Sequence, residues 1–379
     1  MKQRTYKATG INLKGMPMGE SDRLVTVLTK EYGLVRAIAP GARKHKSSLG
    51  GRSGLFVVND LLFTQGKSID KLIQAETLQS FPGLSRNLAK LTASQYLAEI
   101  VLAQALSEQP QADLYYLLIE HLSRIEAADQ TNLLACLAQA TFHLLALAGV
   151  APEVFRCCLT RQPLTIELGN PDWRVGFSVS AGGAIAPQEM ERLQAERIKA
   201  VEPRFNERSQ SSEMDTRPLV ADTAATDTAA TDTAATNTAA TNRPAAPSKA
   251  LPAGLQTKLA KAVDQENGVV IYLSAAELAL MQQLSKPELV LTSASSLSSQ
   301  FDPQSGTIKA GTPKLDTPKR GALTVPSFSS ELTQSGPHLM WRHIEKALRQ
   351  YTQYQFDRPI RSAALIDTCF TPPTHASRA

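Results

Sequence analysis

The residues with the strongest chemical character lie in one short run. Gly41-Ala42-Arg43-Lys44-His45-Lys46-Ser47-Ser48-Leu49 sets Arg43, Lys44 and Lys46 within four positions of a Gly/Ser-rich loop. Cations this close suit a polyanion. Each phosphate they neutralise releases a condensed counterion, so affinity falls with salt. Arg23, Lys30, Arg36, Arg52 and Lys67 stand nearby in sequence and could extend the footprint. The bland alternative is a solvated basic loop, and the wider charge pattern weighs against it. Residues 1–90 hold 15 Lys+Arg against 6 Asp+Glu (+9), whereas residues 91–200 hold 7 against 12 (−5), within a chain of net +5. Polyanions are drawn to the first ninety residues and not to the next hundred. Stacking partners are few: Tyr6, Tyr32, Phe56 and Phe63 are the nearby aromatics, and Phe56 and Phe63 are expected in the core.

Residues for enzyme chemistry do not assemble. The nearest approach to a phosphate-cradling loop is Gly66-Lys67-Ser68, but the position where such a loop starts is Leu61, not Gly. Neither H-E-x-x-H nor G-x-S-x-G occurs. Six His are scattered, with no pair at ligand spacing. Asp22 and Glu20 lie close together, but in a turn flanked by basic residues, where a structural role is expected. Without a nucleotide site, any work on a polyanion is passive: binding, charge neutralisation or placement. The expectation is a protein that is not an enzyme and takes no cofactor.

Length and composition frame this. The chain has 379 residues, 42% hydrophobic and 20% charged, which suits two or three domains. Four Cys (Cys136, Cys157, Cys158, Cys369), two of them adjacent, are too sparse for a disulfide framework and suit reduced thiols in a cytoplasm. MKQRTYKATG has no apolar core of a secretory leader. Residues 130–152 carry no Lys, Arg, Asp or Glu, but their Ala, Gln139 and His143 predict a buried helix rather than a membrane span.

The elements that must hold the basic residues follow from periodicity. Residues 1–82 contain five short runs rich in Val, Ile, Leu, Thr and Phe, punctuated by Gly, which predict a small β-barrel or sandwich. Residues 86–150 repeat apolar positions at three- and four-residue steps and predict three antiparallel helices. Residues 155–190 return to short strands and turns. The DTAAT repeats at 222–242 contain no large apolar residue, so 203–250 is expected to be a disordered linker. A helical segment is expected at 255–285, with Ser274 and Glu277 as a capping box. A low-complexity loop follows at 286–336. A closing amphipathic helix is expected over His338–Phe356, in a C-terminal segment 338–366 that packs on the helical domain, with Leu339, Ile344, Leu348, Tyr351 and Phe356 as buried positions.

GESDRLVTVLTKEYGLVRAIAPGARKHKSSLGG, then DKLIQAETLQSF, then IEKALRQYTQYQFDRPIRSAALI near the end resemble the bacterial DNA repair and recombination mediator family RecO. The likeness spans about residues 1–200 and 338–366. It implies an α+β protein with an N-terminal five-stranded OB-fold barrel, then a helical domain carrying a zinc-ribbon-like insert. It further implies binding of single- and double-stranded DNA, annealing of complementary strands without ATP, and assistance in loading recombinase on coated strands. The implied partners are RecR and the single-stranded-DNA-binding protein, and the implied location is the cytoplasm, at the nucleoid. An adaptor whose helical domain docks the acidic tail of the coating protein is the alternative. Many members carry C-x-x-C…C-x-x-C in the insert. Here the four positions fall on Cys157, Thr160, Ala186 and Glu189, so a degenerate, metal-free ribbon over 155–190 is expected.

Overall fold

Strands within the first eighty residues set apolar side chains inward and polar ones outward. In β3 (Gly33–Ala39), Val35, Ala37 and Ala39 are buried while Arg36 is exposed. This period of two is what a half-buried strand requires. In a computed structural model, which describes residues 4–195, 270–287 and 336–370, β1 (Thr5–Met18), β2 (Asp22–Thr29), β3, β4 (Val57–Thr64) and β5 (Asp70–Ser80) close into a barrel of order β1-β2-β3-β5-β4. This is the five-stranded OB-like barrel expected. A bulge between Asn12 and Lys14 lets β1 pair with β4 over its first half and with β2 over its second.

Two apolar clusters hold the barrel. The interior is filled by Val25, Val27, Val35, Ala37, Leu61, Phe63 and Leu72, and is plugged by Ala42 and Leu49 from the long β3–β4 loop. A second set, Ile11, Leu13, Leu28, Phe56 and Val58, belongs to the same core as the helices. Phe56 and Phe63 are thus both core residues. Fully burying a side chain such as Phe63 contributes roughly 2 kcal/mol.

The helical region begins at α1 (Pro82–Ser85) and α2 (Leu88–Gln104), whose N-cap Asn87 accepts the N–H groups of Ala89 and Lys90. α3 (Ala112–Ala127) and α4 (Leu133–Leu147) follow. Every residue of α4 from Leu133 to Phe142 is buried, as expected for its uncharged sequence. Among the described residues, no helix is long and apolar enough to cross a membrane.

The insert is a three-stranded sheet of order β7-β6-β8, with β6 at Arg174–Ser178, β7 at Gly183–Ile185 and β8 at Val270–Ser274. This corrects the helical reading of 255–285. Residues 255–269 lie outside the described residues, 270–274 form a strand, and only α5 (Ala275–Gln283) is helix. The reason is a remote partner: β8 completes its backbone bonds on β6, about a hundred residues earlier in the chain. The Ser274–Glu277 capping box does open α5. The expected linker at 203–250 lies outside the described residues, as does the expected loop beyond residue 287 up to 335.

The closing helix forms where expected, but a second helix follows it. α6 runs Pro337–Phe356 and stops at Asp357, whose φ is 46°, with Pro359 just beyond. A second helix, α7 (Ala363–Phe370), then folds back. The buried Arg349 guanidinium holds it by donating to Asp367 (2.7 and 2.9 Å) and to the Ala363 carbonyl (2.8 Å). Ile344, Leu348 and Tyr351 are buried as expected, but Leu339 is exposed. Its neighbours Met340 and Trp341 take the core instead.

Candidate nucleic-acid interface

Residues 40–56, between β3 and β4, carry four of the eight predicted contacts, and they are not a loose loop. Ala42 and Leu49 anchor the segment inside the barrel, leaving Arg43, Lys44, Lys46 and Arg52 exposed. The Gly41 N–H donates to Asp22 Oδ1 at 2.8 Å, and the Arg43 N–H donates to the Ser21 carbonyl at 2.8 Å. Asn12 and Asn59 both donate to the Arg52 carbonyl at 2.9 Å. The Gly41 N–H, then the Ser21 hydroxyl, hold the Asp22 carboxyl below its usual range, with Lys44 and Lys71 adding to the effect. Asp22 is therefore the structural turn residue expected.

The structure divides the eight predicted cations. Arg23 is a brace: its Nη1 donates to the Gly50 and Ser53 carbonyls and to the Ser53 hydroxyl, at 2.9–3.3 Å. Lys30 lies at the opposite end of the barrel. Its ammonium sits 5.7 Å from the Tyr115 ring and 5.6 Å from the Tyr116 ring, in the junction with α3. Arg36 projects from β3 into a groove, and Lys67 is exposed in the β4–β5 turn at the groove's margin.

Sequence reasoning missed further cations. Strand register puts Lys14 opposite Thr26 and Thr26 opposite Arg36, so Lys14 and Arg36 share the barrel's outer face. Ile38 pairs with Lys71 across the β3–β5 seam. Arg4 and Lys7 line the groove beside Arg36. Only the pairing pattern reveals these neighbours. Glu31, Asp60 and Glu76 gather around a neighbouring depression over β1, β4 and β5, which shares Lys7 with the groove.

The barrel is fixed to the helices by backbone bonds. The Leu34 N–H donates to the Leu106 carbonyl (2.8 Å), Glu108 N–H to Tyr32 (2.9 Å), and Gln111 N–H to Lys30 (2.9 Å). Gly33, at φ +62°, permits this approach: a Cβ there would lie 2.1 Å from the Leu106 oxygen.

The residues of the ribbon-like insert do not fit a zinc ion. Cys157 is buried with Leu159, Ile185 and Met190, and its Sγ accepts the Ala186 N–H at 3.3 Å. Ala186 thus stands beside Cys157 where the family pattern would put a ligand, but offers only a methyl group. Burial pushes the Cys158 thiol up to about 12, which disfavours the thiolate a metal needs. Among the described residues, no three His, Cys, Asp or Glu gather as a metal site. One pairing was not foreseen: His121 Nε2 and His143 Nδ1 lie 3.1 Å apart, brought together by the packing of α3 on α4. His143 Nε2 in turn faces the Lys286 carbonyl at 3.2 Å.

Comparison with known proteins accords with this architecture. Residues 1–81 match the family model described as Recombination protein O N terminal, and residues 85–202 match Recombination protein O C terminal. A DNA repair protein RecO of Acaryochloris marina is 43% identical over 369 residues, covering 97% of this chain and 96% of that protein. One from Nostoc sp. is 42% identical over 372 residues, covering 97% of each. A RecO of Trichodesmium erythraeum is 54% identical over 199 residues, covering 51% of this chain and 69% of that protein. On these matches, and with the barrel-then-helix architecture in place, this chain belongs to the RecO family of DNA repair proteins.

Proposed function

We propose that this chain is a DNA repair mediator rather than an enzyme. It binds single- and double-stranded DNA and anneals complementary strands without ATP. It also helps load recombinase onto strands coated by single-stranded-DNA-binding protein, with a RecR-like protein as partner. The nucleoid, in the cytoplasm, is where it would act. The observation that carries this reading is the set Arg43, Lys44, Lys46 and Arg52, exposed on a loop braced to the barrel. Two strands repel through their phosphates. Cations held in fixed positions offset that repulsion without paying to order the side chains' own backbone. The carboxylates of Glu31, Asp60 and Glu76 disfavour DNA at the neighbouring depression and so orient it.

The decisive experiment measures annealing of complementary oligonucleotides without nucleotide, across a salt series. A variant with Arg43, Lys44 and Lys46 all changed to Glu should anneal poorly. If each cation meets one phosphate of a single strand, the log–log salt slope should fall by about 2. Unchanged affinity and slope would refute the reading. The adaptor alternative gains no support from one cleft of the helical domain. That cleft is lined by Leu114, Leu147, Val150 and Phe356, and its charged lining residue is Asp113, the wrong sign for an acidic tail.

A further inference from the structure

The geometry points to a second binding site on the barrel, separate from the basic loop, that takes unpaired bases of a single nucleic-acid strand. The inference rests on the DNA-binding reading above. The site is the groove at the far end of β3, with a volume of about 800 Å³ and Arg4, Tyr6, Lys7, Tyr32, Arg36 and Asp70 in its lining.

Three aromatic rings lead from the barrel interior to this groove. Phe63 is fully buried. Tyr6 stacks on it at 5.2 Å with 27° between the planes, and Tyr32 meets Tyr6 edge-on at 4.8 Å. Tyr32 is 39% exposed, so its ring is a platform backed by two others. The Tyr6 hydroxyl donates to Asp70, whose other oxygen accepts the Gly66 N–H at 3.0 Å. This fixes the Tyr6 ring and occupies Asp70, one of the two carboxylates lining the groove. Burial, then the Asp70 contact, hold the Tyr6 phenol protonated well above its usual range. Glu108 is the other acidic residue of the lining, against Arg4, Lys7 and Arg36.

An aromatic face with flanking cations is the chemistry of an unstacked base and its phosphates. A duplex keeps its bases stacked on one another and cannot offer them to Tyr32. The groove and the basic loop lie at opposite ends of β3, whose seven residues span about 20 Å. From Arg36 in the groove toward the loop, Ile38 follows on the same outer face, paired with Lys71. A strand of roughly four or more nucleotides could follow this face from groove to loop. The loop therefore neutralises backbones of either form, whereas the groove selects strands with free bases.

The test uses the full-length protein with two probes, a thymidine oligonucleotide and a hairpin duplex. Tyr32→Ala should weaken binding of the oligonucleotide on the order of ten-fold while changing duplex affinity by less than about two-fold. Its salt slope should stay that of the wild type, because no phosphate contact is lost. Tyr32→Trp should keep the affinity. A 2-aminopurine in the oligonucleotide should be quenched by wild type and Tyr32→Trp, but not by Tyr32→Ala. Equal losses on both probes, or no loss on the oligonucleotide, would overturn the inference. Failure of the broader reading looks different. If the Arg43/Lys44/Lys46 triple reversal left both probes bound while Tyr32→Ala lost the oligonucleotide, the loop would be dispensable and the groove would stand. If wild type bound neither probe, both would fall.

Discussion

The Asp22 carboxylate accepts the backbone N–H of Gly41 at 2.8 Å, joining the β1–β2 turn to the start of the basic loop. Together with the Arg23 brace, this bond presents Arg43 and Lys44 in a fixed geometry. Asp22→Ala should loosen the loop, so limited trypsin should cut faster at residues 43–46. Barrel unfolding should change little. An unaltered cleavage rate would show that the plug of Ala42 and Leu49 holds the loop alone.

Gly33→Ala should destabilise the barrel–helix junction. A Cβ at φ +62° is strained, and it would sit 2.1 Å from the Leu106 oxygen and 2.6 Å from that of Gln109. Both neighbours are backbone, so relief requires the α2–α3 connection to move. Denaturant unfolding should show a loss of roughly 2–4 kcal/mol. A loss within the error of measurement would mean the junction is softer than its three backbone bonds imply.

Acid should destabilise the helical region through the histidine pair. Burial first, then the neighbouring His143 and Arg124, lower the His121 pKa to about 3, and burial lowers that of His143. An unfolded histidine binds its proton near pH 6.5. The unfolded state therefore holds more protons, and stability contributed by the pair is lost as pH falls from about 6.5 toward 3. Arg124 opposes protonation while Glu120 favours it at His143. Replacing His121 by Phe and His143 by Gln together should flatten this part of the stability–pH curve. A curve of the same slope in both proteins would count against the pair.

The purified protein should carry no stoichiometric zinc, and chelators should leave its melting temperature unchanged. Cys157 is packed among Leu159, Ile185 and Met190, a donor set too poor for a tetrahedral site. Elemental analysis near one zinc per chain would reverse this conclusion.

Local sequence carried much of the architecture. The alternation in residues 1–82 predicts short strands because one face of each must meet a core, and five strands form. The Ser274–Glu277 pair marks a helix start because its side chains reach orphan N–H groups. The +9 excess in the first ninety residues and the GESDR…GARKHK pattern point to polyanions and to the family without any coordinates. What the sequence could not order was neighbourhood. Arg23 and Arg43 are both basic and twenty positions apart, yet Arg23 is half-buried against the loop's carbonyls while Arg43 is exposed, with one bond from its Nη1 to the Gly19 carbonyl at 3.1 Å. Lys30 is one more cation in the sequence, and only the fold sets it beside Tyr115 and Tyr116 of α3. Lys14, Arg36 and Lys71 share a face only through cross-strand register, and β8 is a strand only because β6 offers it an edge. His121 and His143 meet because two helices pack. Periodicity reports which side of an element is buried. Which elements adjoin, and hence which charges act together, is set by long-range pairing and by the closure of the barrel.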